Sequence, residues 1–269
     1  KGTEEPPAKL SWCCYLPCCA PCRPKEKIHV VSTALGGDTN AAATERAEKA
    51  FKAMGLGDKD VGQFYTLYRK MDKDNGGSID IQEFYRYFRL QRSPFCDRVF
   101  QVMDGDGSKE LDFVEFVVSL WNFCSLNKGG LILFAFTLYD VDDSGELEGN
   151  EMMLLIKEIY GQHAEVSSRV TKLLKQIDAS GDGTVQIHEF IRACKRHGQI
   201  LQPAHSVQEY LQQKSFGMKF WKDCIKKRQI SSMGFSQDSL KAFLKDMDFL
   251  RRSEQEGAVR VPVAPSFAT

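Results

Sequence analysis

Half of the carboxylates of this 269-residue chain fall in four stretches of twelve residues, DKDNGGSIDIQE (Asp72 to Glu83), DGDGSKELDFVE (Asp104 to Glu115), DVDDSGELEGNE (Asp140 to Glu151) and DASGDGTVQIHE (Asp178 to Glu189). Each starts with Asp, ends with Glu and carries an apolar residue at position eight. Oxygen side chains recurring at alternate positions suit a hard cation. Calcium takes six to eight oxygens, and a twelve-residue loop supplies them from positions 1, 3 and 5, a main-chain carbonyl at 7, position 9, and a bidentate Glu at 12, with Gly at 6 for the sharp turn. The stretches hold 18 acidic residues against two basic ones, Lys73 and Lys109, a net charge of −16 in a chain whose total is zero. Four divalent ions would offset half of that.

The third stretch meets every demand, with Asp140, Asp142, Ser144, Gly145, the Glu146 carbonyl, Glu148 and Glu151. So does the fourth, with Asp178, Ser180, Asp182, Gly183, the Thr184 carbonyl, Gln186 and Glu189. The first offers Asp72, Asp74, the Ser78 carbonyl, Asp80 and Glu83, but Gly76 at position 5 brings no side-chain oxygen, so a water is expected to fill that place. The second offers Asp104, Asp106, Ser108, the Glu110 carbonyl, Asp112 and Glu115, with Lys109 where Gly is expected. A Cβ in the left-handed region costs roughly 1 kcal/mol, which weakens that site without removing a ligand. Up to four calcium ions are expected, those at 140–151 and 178–189 most securely.

Helices must hold these loops. Val61, Phe64, Tyr65, Tyr68 and Met71 lie on one helical face before the first stretch, and Phe84, Tyr87 and Phe88 follow it. Ser93-Pro94 is a helix start leading through Phe95, Val99, Val102 and Met103 into the second. Leu131, Phe134 and Leu138 precede the third, and Val166, Val170, Leu173, Leu174 and Ile177 the fourth. The apolar run Phe116 to Tyr139 is long enough for a membrane span, but its middle, Asn127-Lys128-Gly129-Gly130, is a poor helix interior. Two helices joined by a turn are expected there.

Four helix-loop-helix repeats, spaced 32 to 38 residues apart, identify the region from about Ala43 to His197 as a member of the EF-hand superfamily. Within it, KMDKDNGGSIDIQEF (Lys70 to Phe84), SPFCDRVFQVMD (Ser93 to Asp104), ELDFVEFV (Glu110 to Val117) and FAFTLYDVDDSGEL (Phe134 to Leu147) resemble calcineurin B and its relatives. The resemblance implies an all-α fold of two lobes, each pairing two hands through a short antiparallel ribbon, and a calcium sensor that offers an apolar groove to a partner helix. The expected organisation is a cysteine-rich tail (1–40), an N-terminal hand pair (41–127), a C-terminal hand pair (128–198) and a helical extension with a loose tail (199–269).

Calcineurin B lacks such an extension. From Gln208 to Gln229 it sets Tyr210, Leu211, Met218, Trp221 and Ile225 among six basic residues, a basic amphipathic pattern that resembles a groove ligand, with Gly217 as an internal breaker. Either it occupies the protein's own groove until a target displaces it, or it is a surface helix with its apolar side on the core. A second amphipathic segment, Leu240, Phe243, Leu244, Met247 and Leu250, follows, and Val259 to Thr269 reads as a loose tail.

Balanced charge gives no footprint for nucleic acid. The five histidines lack metal-ligand spacing, no phosphate-binding glycine loop or nucleophile elbow occurs, and Cys96, Cys124, Cys194 and Cys224 fall in helical patterns as buried thiols, so no enzyme is expected. The run WCCYLPCCAPC holds Cys13, Cys14, Cys18, Cys19 and Cys22 beside Trp12, Tyr15 and Leu16 and ahead of Arg23, Lys25 and Lys27. A zinc site is disfavoured because Cys18 and Cys19 are adjacent and no folded segment separates the pairs, and a disulfide cluster because nothing else points to an oxidising compartment. S-acylation is the preferred reading, an interfacial tether for a cytoplasmic protein at a membrane surface. The leading function is therefore a calcium sensor that regulates a protein target through an amphipathic helix. The rivals are a calcium-binding structural part of a cytoskeletal or ciliary assembly, and a calcium buffer.

Overall fold

The computed structural model describes residues 41–161 and 168–230. The cysteine run at 13–22, Val166, the segment from Leu240 to Leu250 and the tail from Val259 lie outside them.

The described residues are all-α apart from two tiny ribbons. Helix α1 (Ala41–Ala53) buries Ala43, Ala47 and Phe51, one residue per turn. It stops at Gly55, whose φ of +74° turns the chain so that Leu56 N–H reaches back to the Phe51 carbonyl (2.9 Å). Helix α2 (Asp58–Met71) enters the first loop, buries Val61, Phe64, Leu67, Tyr68 and Met71, and is followed by β1 (Ile79–Asp80) and α3 (Ile81–Phe88). Helix α4 (Pro94–Met103) starts as expected, with proline in its first turn and Ser93 Oγ accepting from Cys96 N–H at 3.1 Å. It leads to β2 (Glu110–Leu111) and α5 (Phe113–Cys124).

The apolar run divides into α5 and α6 (Lys128–Tyr139). The turn falls earlier than the glycines. Asn127 caps α6 by accepting from Gly130 N–H (2.9 Å), so Gly129 and Gly130 form the first helical turn. No described helix is long and apolar enough to cross a membrane. The second half of the repeat array follows as β3 (Glu146–Leu147), α7 (Gly149–Tyr160), α8 (Ser168–Ile177), β4 (Val185–Gln186) and α9 (Ile187–Arg196).

β1 pairs antiparallel with β2, placing Ile79 opposite Leu111, and β3 with β4, placing Leu147 opposite Val185. These are the four position-eight residues, and all are fully buried. The pairing thus fixes the loops two by two. The pairs also touch each other: Phe95 N–H in α4 donates to Glu158 Oε1 in α7 (3.3 Å), and Arg98 Nη2 donates to the carbonyls of Asp140 and Val141 (3.3 and 3.4 Å).

After a 3-10 turn (Gly198–Ile200) the extension forms α10 (Gln202–Lys214) and α11 (Gly217–Ile230), broken where Gly217 adopts φ +81°. Both helices pack on the repeat array, and their buried apolar residues join one continuous core with both hand pairs. Every residue of α5 is buried as a result.

Candidate metal centres

One local design builds all four loops. The Glu at position 12 uses one oxygen to accept the N–H of position 2, from Lys73 (2.7 Å), Gly105 (3.1 Å), Val141 (2.6 Å) and Ala179 (3.1 Å). Its other oxygen accepts the N–H of position 9, from Asp80 (3.3 Å), Asp112 (3.1 Å), Glu148 (3.0 Å) and Gln186 (3.2 Å). The second bond is half of a capping box, so the closing glutamate also starts the exiting helix. The Asp at position 1 accepts the N–H of position 6, from Gly77 (3.3 Å), Lys109 (2.8 Å), Gly145 (3.0 Å) and Gly183 (3.1 Å). Positions 4 and 6 are left-handed in every loop: Asn75 and Gly77, Gly107 and Lys109, Asp143 and Gly145, Gly181 and Gly183. Lys109 therefore adopts the strained conformation, at φ +70°.

In three loops the carboxylates at positions 1, 3 and 12 gather: Asp72, Asp74 and Glu83; Asp104, Asp106 and Glu115; Asp140, Asp142 and Glu151, each trio with oxygens within 4.8 Å of one another. The donor set is all oxygen, the chemistry of a hard cation. Asp72 Oδ1 is buried and has no hydrogen-bond partner, which suits an atom whose partner is an ion. Burial raises the carboxyl pKa of Asp140, and the nearby Glu151 and Asp143 charges add to the rise. Burial also raises that of Asp104, with Asp106 adding to it. Crowding of this kind is relieved by a bound cation.

The fourth loop is arranged differently. Position 3 is Ser180, whose Oγ donates to Asp178 Oδ1 (3.2 Å), and Asp182 is occupied locally, accepting from Thr184 N–H (3.0 Å) and Oγ1 (3.2 Å). The Thr184 N–H bond holds the Asp182 carboxyl below its ordinary range. Ser144 in the third loop donates its Oγ to the Glu146 carbonyl (3.0 Å), and across the first ribbon Ser78 Oγ donates to Glu110. Gln186 Nε2 donates to Glu146 Oε1 (3.1 Å), tying the second ribbon side to side.

Arg69, just outside the loops, bears on the first of them. Arg69 Nη1 donates to Asp72 Oδ2 (2.7 Å) and Nη2 to Asn75 Oδ1 (2.8 Å). The signal was legible as a basic residue three positions before a helix-terminal Asp.

The extension meets the helices that carry these loops. In α10, Gln208 Nε2 donates to the carbonyls of Phe123 (2.7 Å) and Leu126 (3.1 Å), and Gln212 Nε2 to that of Cys124 (2.7 Å), satisfying the C-terminus of α5. In and before α11, the rings of Phe216, Phe220 and Trp221 sit 4.6, 6.2 and 6.2 Å from that of Phe64. The four thiols in the described helices are all buried. Burial pushes Cys194 up to about 12 and Cys224 up to about 11.

Helix-loop-helix units joined through paired loops, with oxygen trios at the loop centres, define an EF-hand protein, and the EF-hand domain pair family matches residues 131–195. The chain is 34% identical over 136 residues to calcineurin B type 2 of Mus musculus, covering 49% of this chain and 76% of that protein. It is 30% identical over 141 residues to the Rattus norvegicus counterpart (50% and 80%) and 28% identical over 162 residues to calcineurin B of Naegleria gruberi (59% and 92%). The chain belongs to the calcineurin B-like family of EF-hand calcium-binding proteins.

Proposed function

We propose that this chain is a calcium sensor that regulates a protein target through a surface able to take an amphipathic helix. The observation carrying this reading is that helices holding the extension have a candidate ligand at one terminus. Phe64 lies in α2, which runs into Asp72, and Trp121 lies in α5, whose first turn contains Glu115. Calcium in the first two loops would pull Asp72 and Glu83, or Asp104 and Glu115, toward one centre. Because each position-12 Glu also caps its exiting helix, that pull turns α3 or α5 relative to α2 or α4, and the surface over Phe64 and Trp121 changes shape. Position-1 and position-12 carboxylates of the third and fourth loops would hold further ions, with Asp142, Ser144, Ser180 and Asp182 completing the sets.

Titration of the chelated full chain with calcium, followed by tryptophan fluorescence and binding of an apolar dye, tests this. A sensor shows saturable binding with a change in apolar exposure; binding without that change would identify a buffer. We include in the proposal a membrane tether through acylation of Cys13, Cys14, Cys18, Cys19 and Cys22, supported by their clustering beside aromatic and basic residues. Hydroxylamine-sensitive labelling at these five positions checks it.

A further inference from the structure

Helix α4 enters the second loop, yet its N-terminal half is fastened to the third hand at three places. The Phe95 ring lies 5.9 Å from that of Tyr139, the last residue of α6. Arg98, about one turn further along α4, donates through Nη2 to the carbonyls of Asp140 and Val141 (3.3 and 3.4 Å), the first two residues of the third loop. The Phe95 N–H is one of the donors that the start of a helix leaves without an intrahelical partner, and it donates to Glu158 Oε1 (3.3 Å) in α7, the helix that leaves the third loop. One turn of α4 therefore holds the entering helix, the loop start and the exiting helix of the third hand.

These are the parts that a cation draws together. An ion in the third loop pulls Asp140 at its start and Glu151 in the first turn of α7 toward one centre. The Val141 N–H bonds Glu151 Oε1 (2.6 Å), so the peptide that Arg98 grips from outside the hand is gripped by the closing glutamate from inside it. Glu158 lies about two turns beyond Glu151 on α7 and moves with it. At its other end α4 stops at Met103, and its C-cap, Asp104, opens the second loop. Fewer than two turns of helix separate Arg98 from Asp104, so a shift of α4 at Phe95 and Arg98 is delivered to the first candidate ligand of the second loop.

The chemistry of the grip differs from that at the first loop. Arg69 takes a carboxylate oxygen of Asp72. Arg98 takes the main-chain carbonyls of positions 1 and 2, which have no part in coordination, and the Asp140 carboxylate accepts from the amides of Ser144 (2.9 Å) and Gly145 (3.0 Å) in its own loop. The guanidinium thus positions the third loop without competing for its ion. The sign of the effect follows from what is formed together. With all three attachments in place, the carboxylate trios of the second and third loops are both gathered, their oxygens within 4.8 Å of one another.

We propose that Arg98 is a positioning residue for the third calcium site, and that with Glu158 it makes α4 a crossbeam through which the second and third loops bind calcium with positive cooperativity. The coupling requires calcium in these two loops and holds for a sensor and a buffer alike. It joins the two hand pairs, which the ribbons, each confined to one pair, do not.

A double-mutant cycle on the full chain tests it. Calcium is titrated into the chelated protein, and filling of the second and third loops is followed separately by NMR of the Gly107 and Gly145 amides. Glu151→Gln, which disables the third loop, should weaken calcium binding at the second roughly fivefold or more, and Glu115→Gln should weaken the third by the same factor, because coupling between two sites is reciprocal. Arg98→Met keeps the aliphatic stem and removes the donors. In that background both factors should fall below about twofold, and the third loop should itself bind more weakly. Each factor is a ratio within one background, so a general loosening of the fold cancels. Factors unchanged by Arg98→Met overturn the role of Arg98, and a second loop indifferent to Glu151→Gln in the parent overturns the coupling.

A second arm uses the other attachment. Glu158→Ala removes the acceptor of the Phe95 N–H and should lower the coupling factor, whereas Glu158→Gln keeps an acceptor there and should retain it. Equal factors in these two variants overturn the part given to Glu158. Calcium-dependent shifts at Gly107 and Gly145 without dependence of one loop on the other remove the coupling alone, and no shift at either in the parent removes the metal sites and the coupling together.

Discussion

Arg69 holds one oxygen of Asp72 at 2.7 Å while the other, buried Oδ1, is without a hydrogen-bond partner. A guanidinium and a calcium ion in the first loop would thus share Asp72. The pair is half-exposed on the arginine side, with 42% of that side chain accessible, so its worth is that of a surface ion pair, about 0.4–1 kcal/mol. Arg69→Gln is expected to tighten calcium binding at the first loop by roughly two- to fivefold, read by calorimetric titration. A weaker site in this variant would show instead that Arg69 positions Asp72 for the metal.

Lys109 stands at φ +70° with its N–H on Asp104 Oδ2. Lys109→Gly relieves the left-handed strain but loosens the unfolded chain, for a net gain of about 0.5–1 kcal/mol. Removing a cation from an acidic loop tightens its calcium binding as well. Lys109→Ala separates the effects: it should reproduce the affinity gain without the stability gain. Thermal unfolding in chelator, paired with calcium titration, reads both.

The loops were legible because a hard cation dictates oxygen-bearing residues at fixed spacing, and the same residues at positions 9 and 12 start the exiting helices. The helices were legible for that reason and from apolar periodicity, down to the break at Gly217. What the residues did not disclose lies in long-range contacts. Gln208 and Gln212 belong to neither the apolar nor the basic set of the extension, yet they are buried against carbonyls 82 to 88 residues earlier. Arg228 read as one of six basic residues on the helix, although it alone stacks on Trp121 and bonds Asn122 and Ser125. Neither contact leaves a periodic trace.

Those glutamines carry a stability prediction. Gln208→Ala strands the Phe123 and Leu126 carbonyls in a buried setting and should cost roughly 1–3 kcal/mol by chemical denaturation. Gln208→Glu should cost more, because a carboxylate cannot donate and would face carbonyl oxygens. If the two variants were equally stable, α10 would be held by packing alone.

Charge removal at position 12 addresses occupancy. Glu151→Gln or Glu189→Gln should each lower the number of bound calcium ions by one, with affinity at the altered loop falling by roughly one to two orders of magnitude. The fourth loop has no carboxylate at position 3 and its Asp182 is engaged by Thr184, so Glu189→Gln should remove the weaker ion of the second pair. Site-resolved titration by NMR of the loop glycines Gly145 and Gly183 distinguishes the two.

Glu158 links the hand pairs by accepting from Phe95 N–H, and burial raises its carboxyl above the ordinary 4.5, outweighing that hydrogen bond. A carboxyl with a raised folded pKa binds protons more readily folded than unfolded, so its contribution to stability falls as pH rises. The penalty is absent below the unfolded value, grows toward the folded one, and is complete above it. Glu158→Gln keeps an acceptor for Phe95 and has no charge to bury. It should therefore be at least as stable as the parent at pH 7 in chelator, with the difference shrinking toward zero as pH falls below the ordinary 4.5. Denaturant titrations of both proteins across that range give the comparison, and a difference that widened on acidification would mean that the charge of Glu158, rather than its burial, is what joins the two halves.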